Sequence, residues 1–199
     1  SPALILKTSG AGASYLDRDQ ILNKIYQVKS TVKANTYPSV YLLHGEFTDE
    51  EMNHLYNHKK VKAMVSLTKG EGYGRPLLEF SLVNKPILTT NWSGHTDFLD
   101  SKFTTLVNGE LNNVHESATV KDMILPESKW FSPNLMEVNQ HLLNMFENYK
   151  TYEKGAKLQY HKSKNNFNFD TMKTVLDNYL NVYIPDFPEE VKLELPKLN

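Results

Sequence analysis

The chain lacks cysteine, long apolar runs and any marked excess of charge. Its 199 residues include no cysteine, which excludes disulfides, thiol nucleophiles and cysteine-ligated metals. No apolar run approaches the ~20 residues that a membrane-spanning helix needs. The formal net charge of -1 argues against a general nucleic-acid or membrane-surface binder. No signal peptide is visible at the first residues, so we expect a cytoplasmic protein, or one peripheral to a membrane.

The composition is that of a soluble globular domain. Hydrophobic residues make up 40% of the chain and charged residues 23%. We expect one domain over residues 1–183, followed by an extended tail over residues 184–199. Pro185 and Pro188 break the helical pattern there, and residues 191–195 alternate between apolar and charged side chains like a short strand.

Short apolar strands alternate with amphipathic helices along most of the chain. The candidate strands are residues 3–7, 39–43, 61–67, 86–90 and 103–107. The candidate helices are residues 17–33, 48–58, a segment from about 134, then 149–161 and 170–183. Thr48 and Glu51 have the spacing of a capping box at the start of the second helix. This alternation predicts an α/β fold, a Rossmann-like, doubly wound parallel sheet with C-terminal helices.

Two of the predicted helices carry apolar stripes that we expect to face the core. The first stripe comprises Leu16, Ile21, Ile25, Val28 and Val32. The second comprises Leu135, Val138, Leu142, Leu143 and Phe146.

Two carboxylates frame a glycine-rich turn in the middle of the chain. Glu71 and Glu79 lie eight positions apart, with Gly72, Gly74 and Pro76 between them. The preceding apolar stretch reads as a buried strand, and Pro76 suits the start of a helix, where its missing N–H is not needed. Free N–H groups in such a loop, together with the positive end of the helix, favour an anion. A carboxylate one turn into the helix suits sugar or ribose hydroxyls, so the segment predicts a nucleotide-sugar site.

The segment from Ser66 to Glu79 resembles the E-x7-E signature of group 1 (family 4 type) retaining glycosyltransferases, which have the GT-B fold. The flanking segments resemble that family too. Lys85-Pro86-Ile87-Leu88-Thr89-Thr90 is similar to its "KPVIAT" strand, and the segment from Asn91 to Leu99 is similar to its "NWSG…EFL" loop and helix. The likeness is specific over residues 4–106.

The resemblance implies roles for individual residues. Glu71 is implied as the catalytic-site carboxylate that holds donor-sugar hydroxyls near the reacting carbon, and Glu79 as the group that holds the ribose hydroxyls. Gly72, Tyr73, Gly74 and Arg75 are implied to present backbone N–H groups to sugar and diphosphate. Three further donor-binding candidates follow strand ends: Lys7, and His44 with Gly45 near the nucleobase.

The resemblance also implies what surrounds this chain. The donor-binding half of a GT-B enzyme opens with a strand and a loop whose Arg and Lys neutralise the diphosphate, and the chain begins at what resembles the second strand. The acceptor-binding N-terminal domain is expected to be missing as well. We therefore expect the isolated chain to bind a nucleotide-sugar donor but to be inactive in transfer. The gap at the first strand favours a homo-oligomer or insertion of the tail, because unpaired sheet edges are templates for pairing.

No cofactor and no metal site is predicted besides the nucleotide-diphosphate sugar itself. Asp17 and Asp19 have the D-x-D spacing of metal-dependent glycosyltransferases, but at a helix start they read as capping residues. His54 and His58 share a helix face without a third ligand nearby in sequence. His95 and the glycines of residues 10–12 follow strand ends and could meet phosphate, although a structural role is favoured for both. Trp130 and Phe131 read as core aromatics.

Three functions remain open at this point. The first is a glycosyltransferase donor-binding domain that acts on an unknown glycan, lipid or protein acceptor. The second is a nucleotide-sugar epimerase or a phosphorylase of the same fold family, although no signal for a lysine-bound pyridoxal phosphate is seen. The third is a non-catalytic nucleotide-sugar-binding fragment.

Overall fold

The structure is a computed structural model of the chain and describes residues 2–8, 14–34 and 36–184. The predicted glycine loop at residues 10–13 and the tail from residue 185 onwards lie outside the described residues. The chain forms two compact units, Ser1–His58 and Lys59–Asn199, which are described separately below. The prediction of one domain over residues 1–183 stays a prediction.

The first unit is a β-α-β-α segment. Strands β1 (Leu4–Lys7) and β2 (Val40–Leu43) pair in parallel, and helices α1 (Tyr15–Thr31) and α2 (Asp49–Asn57) follow them. The predicted capping box of α2 is present, with the Thr48 side chain and the Glu51 side chain each bonded to the other residue's backbone N–H. The cap of α1 is Ser14, whose hydroxyl accepts from Asp17 N–H, so the prediction that an aspartate caps this helix is wrong.

The apolar stripe predicted on α1 is only partly confirmed. Ile21 and Ile25 are half-buried, whereas Leu16, Val28 and Val32 are exposed. Leu16 projects about 140° away from Ile21 on a regular helix, because each residue adds roughly 100°. This angle accounts for Leu16, whereas Val28 lies on nearly the same side of the helix as Ile21 and is exposed because no described residue covers that end of the stripe.

The second unit has a three-stranded parallel sheet in the order β3-β4-β5. Its strands are β3 (Met64–Ser66), β4 (Ile87–Thr90) and β5 (Thr105–Val107). Helix α3 (Arg75–Ser81) connects β3 to β4, and a short 3-10 helix (Gly94–Asp97) lies between β4 and β5. All four residues of the central strand β4 are buried, as expected for a parallel strand that is covered on both faces.

An antiparallel hairpin follows the parallel sheet. Strands β6 (Gly109–Asn113) and β7 (Lys129–Pro133) pair along their whole length, with a short 3-10 helix (Glu116–Ala118) between them. The sequence reading missed this hairpin, because every residue of β6 is exposed and the strand shows no apolar alternation.

Three helices complete the unit: α4 (Leu135–Glu147), α5 (Tyr149–Asn166) and α6 (Phe169–Tyr183). Leu88 and Val107 from the sheet pack with Val138 and Met145 from α4 to form the core. The stripe predicted on α4 is wrong apart from Val138, because the other four side chains are exposed to different degrees and Met145 takes the core position instead. The α/β fold class, with parallel strands and C-terminal helices, is confirmed.

Candidate functional site

The loop between β3 and α3 carries the first candidate residues. Gly74 is the N-cap of α3 and has a φ of 85°, a left-handed conformation that L side chains rarely adopt. A Cβ at this position would also lie 3.0 Å from the Cβ of the buried His95. The sequence therefore needs glycine here to turn the chain from the loop into the helix. Pro76 is the second residue of α3, close to its predicted place.

Ser93 holds the backbone of Glu71. The Ser93 hydroxyl accepts from Glu71 N–H at 2.8 Å and donates to the Glu71 carbonyl oxygen at 2.5 Å. Gly94 N–H donates to the same carbonyl at 3.1 Å. Three hydrogen bonds thus join the loop after β4 to the loop after β3. They involve only the backbone of Glu71 and not its carboxylate. In the part of the chain that the structure describes, this carboxylate has no hydrogen-bond or ion-pair partner.

The two loops approach each other backbone to backbone. A Cβ built on Gly94 would lie 2.2 Å from the Gly72 carbonyl oxygen, far inside any real contact. Only glycine therefore fits at Gly94. Parallel strands bring their carboxyl ends to the same edge of a sheet, which is where ligands bind in α/β folds. The joined loops follow β3 and β4 at that edge.

The loop also leaves hydrogen-bond donors free. Among the described residues, the backbone N–H groups of Gly72, Tyr73 and Gly74 have no protein acceptor. Gly72 and Tyr73 are exposed, so their N–H groups are open to water or a ligand, whereas Gly74 is buried. Adjacent free N–H groups on a turn are a suitable surface for phosphate or sugar oxygens.

Glu79 lies on the first turns of α3 and pairs with Arg75. The Arg75 Nε lies 3.0 Å from Glu79 Oε1, the i,i+4 geometry of a helix surface. The Arg75 side chain is 76% exposed, so this ion pair is a weak one. The structure brings Glu71, Gly72, Tyr73, Gly74, Arg75 and Glu79 together on one loop and the helix that it enters.

Buried contacts behind the loop keep it in place. The Tyr73 ring packs on the fully buried Phe98 ring at a centroid distance of 5.3 Å. Gln159 of α5 is buried, and its amide donates to Phe98 O at 2.8 Å while its carbonyl accepts from Asp100 N–H at 2.9 Å. Helix α5 therefore anchors the segment on which Tyr73 rests.

Asp100 in that segment has a lowered pKa. The main cause is the hydrogen bond from Lys102 N–H to its carboxylate at 2.9 Å, and burial opposes the shift. Lys162 of α5 also contributes, with its Nζ 3.1 Å from the other carboxylate oxygen.

The remaining candidates lie in the first unit, at the ends of β1 and β2. Lys7 Nζ donates to Gly45 O at 3.3 Å and lies 5.2 Å from the centre of the Phe47 ring. His44 Nε2 lies 2.7 Å from Asp17 Oδ2, and the two side chains are only 9% and 15% exposed. This hydrogen-bonded contact gives Asp17 a partner that the capping hypothesis did not foresee.

A cavity of about 480 Å³ lies beside this pair. Its lining includes Arg18 and Tyr15 from α1, His44 at the end of β2, and Phe47. The walls thus combine two aromatic rings, one cation and an imidazole, a mixture typical of small-molecule sites.

Several other candidates have structural positions. His95 is completely buried, and its Nε2 donates to Thr90 O at 2.6 Å, so the alternative that it meets phosphate at the surface is wrong. Phe131 is buried, as predicted, whereas Trp130 is half-buried beneath Lys69, whose Nζ lies 4.3 Å from the ring centre. Within residues 2–8, 14–34 and 36–184, no three metal-ligating side chains are grouped to hold an ion. Over the same residues, no helix has the length and apolarity needed to cross a bilayer.

Sequence reasoning missed the hydrogen bonds between Ser93 and the Glu71 backbone, and the contact between His44 and Asp17. The only signal for Ser93 was a Ser-Gly step directly after a buried strand, in a segment already noted for its family resemblance. Ser93 has a φ of 82° and a ψ of -171°, a region nearly restricted to glycine, and sequence does not reveal that a serine is held there.

Comparison with known proteins supports the fold. No family model and no curated protein sequence matches the chain. Among solved structures, the chain is similar to a glycosyltransferase from Rickettsia africae ESF-5, with a TM-score of 0.61 and 15% sequence identity over 94% of this chain. The match spans 41% of that protein's chain, so the present chain corresponds to less than half of its length. The chain therefore has a glycosyltransferase-like fold.

Proposed function

We propose that the chain is the nucleotide-sugar-binding part of a group 1 retaining glycosyltransferase of the GT-B fold. The observation that carries this proposal is the loop at the sheet edge, where a free carboxylate and three free backbone N–H groups lie together. A sugar diphosphate needs both kinds of group: acceptors for its hydroxyls and donors for its phosphates. The fold likeness to a glycosyltransferase is consistent with this use.

Glu71 is proposed to hold hydroxyls of the donor sugar close to the reacting carbon. Its backbone is held by Ser93 and Gly94, so the point from which the carboxylate projects is set before the ligand arrives. Such preorganisation lowers the barrier because no rearrangement is needed at the moment of reaction.

Glu79 is proposed to accept hydrogen bonds from the two ribose hydroxyls. In the ligand-free chain this carboxylate faces Arg75, whose exposed guanidinium is free to turn toward the diphosphate. Arg75 and the N–H groups of Gly72, Tyr73 and Gly74 would then stabilise the negative charge that develops on the leaving diphosphate. No cofactor or metal is part of this proposal.

For the first unit taken by itself, Lys7, His44 and Gly45 are proposed as nucleotide-binding residues, as the family resemblance implies. His44 lines the cavity of that unit and is held by Asp17, and Lys7 is held near Gly45 and Phe47. The acceptor, whether glycan, lipid or protein, is not assigned.

Calorimetric titration tests the proposal. The chain should bind UDP-glucose, GDP-mannose or a related nucleotide sugar in buffer with excess chelator, because the proposed site contains no metal. Free nucleotides should bind more weakly, since they lack the sugar hydroxyls that Glu71 is proposed to hold. Failure to bind any member of a panel of nucleotide sugars would overturn the proposal, and binding that requires a metal would overturn its metal-free form.

Replacing Glu79 should weaken nucleotide binding. Glu79→Ala removes the acceptor for both ribose hydroxyls, and we expect a loss of roughly 1–3 kcal/mol, the range for hydrogen bonds to charged groups. Glu137→Ala is the matched control, because Glu137 also faces a basic side chain four residues on, His141, on a different helix. Equal affinities for the Glu79→Ala and Glu137→Ala variants would refute the ribose role.

A further inference from the structure

Trp92 is an exposed aromatic side chain at the edge of the sheet where the candidate loop lies. It follows the last residue of β4 by two positions and directly precedes Ser93, which holds Glu71. Its side chain is 41% exposed. Many large apolar side chains of this chain are exposed, so exposure alone assigns no role to Trp92, and its neighbours decide the question.

One face of the Trp92 ring is covered by Phe131 of β7. The two rings are parallel within 1°, and their centroids are 5.8 Å apart, an offset stack. Phe131 thus supports part of the indole, and the 41% exposure of Trp92 leaves another part of its surface open to solvent.

Phe131 is itself held firmly. It is buried, and its backbone N–H donates to Lys69 O at 3.3 Å, which ties β7 to the loop that carries Glu71. Across the hairpin, a Cβ on Gly109 would lie 2.9 Å from Phe131 Cζ, so the glycine leaves room for this ring. The packing of Phe131 therefore restricts the orientation of the Trp92 ring that stacks on it.

Asn91, the residue before Trp92, brings a polar side chain to the same edge of the sheet. The exposed Asn91 and Asn108 side chains are joined by a hydrogen bond of 3.0 Å from Asn91 Nδ2 to Asn108 Oδ1. The side-chain oxygen of Asn91 and the side-chain N–H groups of Asn108 are left for other partners. The backbone N–H of Asn91 donates to Val107 O at 2.8 Å, which fixes the backbone that carries this pair of side chains.

We propose that Trp92, backed by Phe131, is a stacking platform for a pyranose ring, with Asn91 and Asn108 as partners for its hydroxyls. The C–H groups on one face of a pyranose carry slight positive charge and are attracted to the negative face of the indole. This inference rests on the proposed function and adds a sugar subsite to it. The ring belongs either to the donor sugar or to a carbohydrate acceptor, which share this chemistry.

A nucleobase is the other flat ligand that could stack on Trp92, and the arrangement favours the sugar. Trp92 is bonded directly to Ser93, whose hydroxyl holds the backbone of Glu71, the residue proposed for sugar hydroxyls. The ribose end of the nucleotide is assigned to Glu79, which lies on α3 and not on the loop that carries Trp92.

Tryptophan fluorescence tests the platform directly. The chain has only two tryptophans, so Trp130→Phe leaves Trp92 as the single reporter. Its emission should change when UDP-glucose or GDP-mannose is added, and should change little with UDP or GDP alone. A response to free oligosaccharides without nucleotide would place the acceptor, rather than the donor sugar, on the platform. No response to any sugar, or an equal response to the free nucleotides, would overturn the proposal.

Affinity measurements on matched variants complete the test. Trp92→Ala should weaken the binding of the sugar-containing ligand roughly tenfold and leave the binding of the free nucleotide unchanged, whereas Trp92→Phe should retain most of the affinity. If the wild-type chain binds nucleotide sugars and Trp92→Ala binds them equally well, the platform fails while the proposed function stands. If the wild-type chain binds none of them, the proposed function fails, and the response of Trp92 to free oligosaccharides still decides the platform.

Discussion

At the scale of the residue, Ser93 shows how a strained backbone serves the candidate site. Its positive φ costs free energy in any residue with a Cβ, and its hydroxyl makes two hydrogen bonds to Glu71 in return. Such conformations cost about 1–3 kcal/mol and persist where the surroundings impose them, often at functional sites.

Two substitutions at Ser93 separate strain from hydrogen bonding. Ser93→Ala and Ser93→Gly both lose the hydroxyl, but only glycine relaxes the backbone. We expect Ser93→Ala to be the less stable of the two, by about 1 kcal/mol after allowing for the greater flexibility of glycine in the unfolded chain. Urea unfolding measures the difference. An alanine variant at least as stable as the glycine variant would show that the strain is negligible.

Asp100 should make stability depend on pH in the acid range. Its pKa in the folded chain is lowered, chiefly by the Lys102 N–H, so the folded state favours the charged form. That contribution is fully present above the pKa of the unfolded chain, near 4, and is lost as pH falls through the folded value. Asp100→Asn keeps an acceptor for Lys102 N–H but removes the charge. We expect it to lower the free energy of unfolding by less than about 1 kcal/mol at pH 7, since the side chain is partly exposed.

Denaturant unfolding from pH 7 to pH 2.5 measures this effect. The gap between wild type and Asp100→Asn should begin to narrow near pH 4, where the unfolded carboxylate takes up its proton, and should close below the lowered pKa of the folded carboxylate. Lys173–Asp177 on α6 provides an exposed i,i+4 control pair, and Asp177→Asn should show a smaller gap. A gap at Asp100 that stays constant with pH would contradict the assigned cause.

At the scale of the element, the site depends on how two loops meet rather than on either loop alone. Strand β4 is buried along its whole length and fixes the start of one loop, and Gly74 fixes the end of the other. Where the loops cross, Gly94 and Gly72 bring backbone against backbone.

Alanine should destabilise the protein at Gly94 but not at Gly72. Gly94→Ala places a Cβ 2.2 Å from Gly72 O and must push the loops apart, so we expect it to cost about 1–3 kcal/mol of stability and to weaken nucleotide-sugar binding. Gly72→Ala is the control, because its Cβ meets nothing within 4 Å. Thermal unfolding and calorimetry measure both effects. Similar behaviour of the two variants would mean that the loops are not tightly joined.

At the scale of the whole molecule, burial is unevenly distributed between the two units. Among the described residues of the first unit, Tyr56 is the one buried hydrophobic side chain, whereas the second unit holds the core around Leu88 and Val107. A unit of about 60 residues buries a small share of its surface and is marginal by itself. The second unit therefore supplies most of the hydrophobic stabilisation described here.

The chain should bind a donor without transferring its sugar efficiently. Transfer in a GT-B enzyme takes place in a cleft between two domains, and this chain spans 41% of the length of the glycosyltransferase that it resembles in structure. We expect donor hydrolysis by the purified chain to remain near background in a nucleotide-release assay with UDP-glucose and GDP-mannose. Heat-denatured chain is the control. Rapid turnover would contradict the expectation and would mean that these residues suffice for catalysis.

The sequence by itself determined the order of the five parallel strands and the α-helices between and after them, the capping box at Thr48, and the position of Glu71 and Glu79 around the turn before α3. These features depend on interactions within a few residues, such as side-chain periodicity, caps and the backbone freedom of glycine. For the same reason the family resemblance could be read from short consecutive segments.

Only the tertiary structure decided which side chains meet. Glu71 and Ser93 are 22 residues apart, and Asp17 and His44 are 27 apart, so no local pattern predicts either contact. The faces of α1 and α4 and the hairpin β6–β7 were missed because exposed apolar side chains blur the helical stripe and exposed strands lack alternation. Local periodicity shows that a residue is apolar, but its burial depends on what the rest of the chain packs against it.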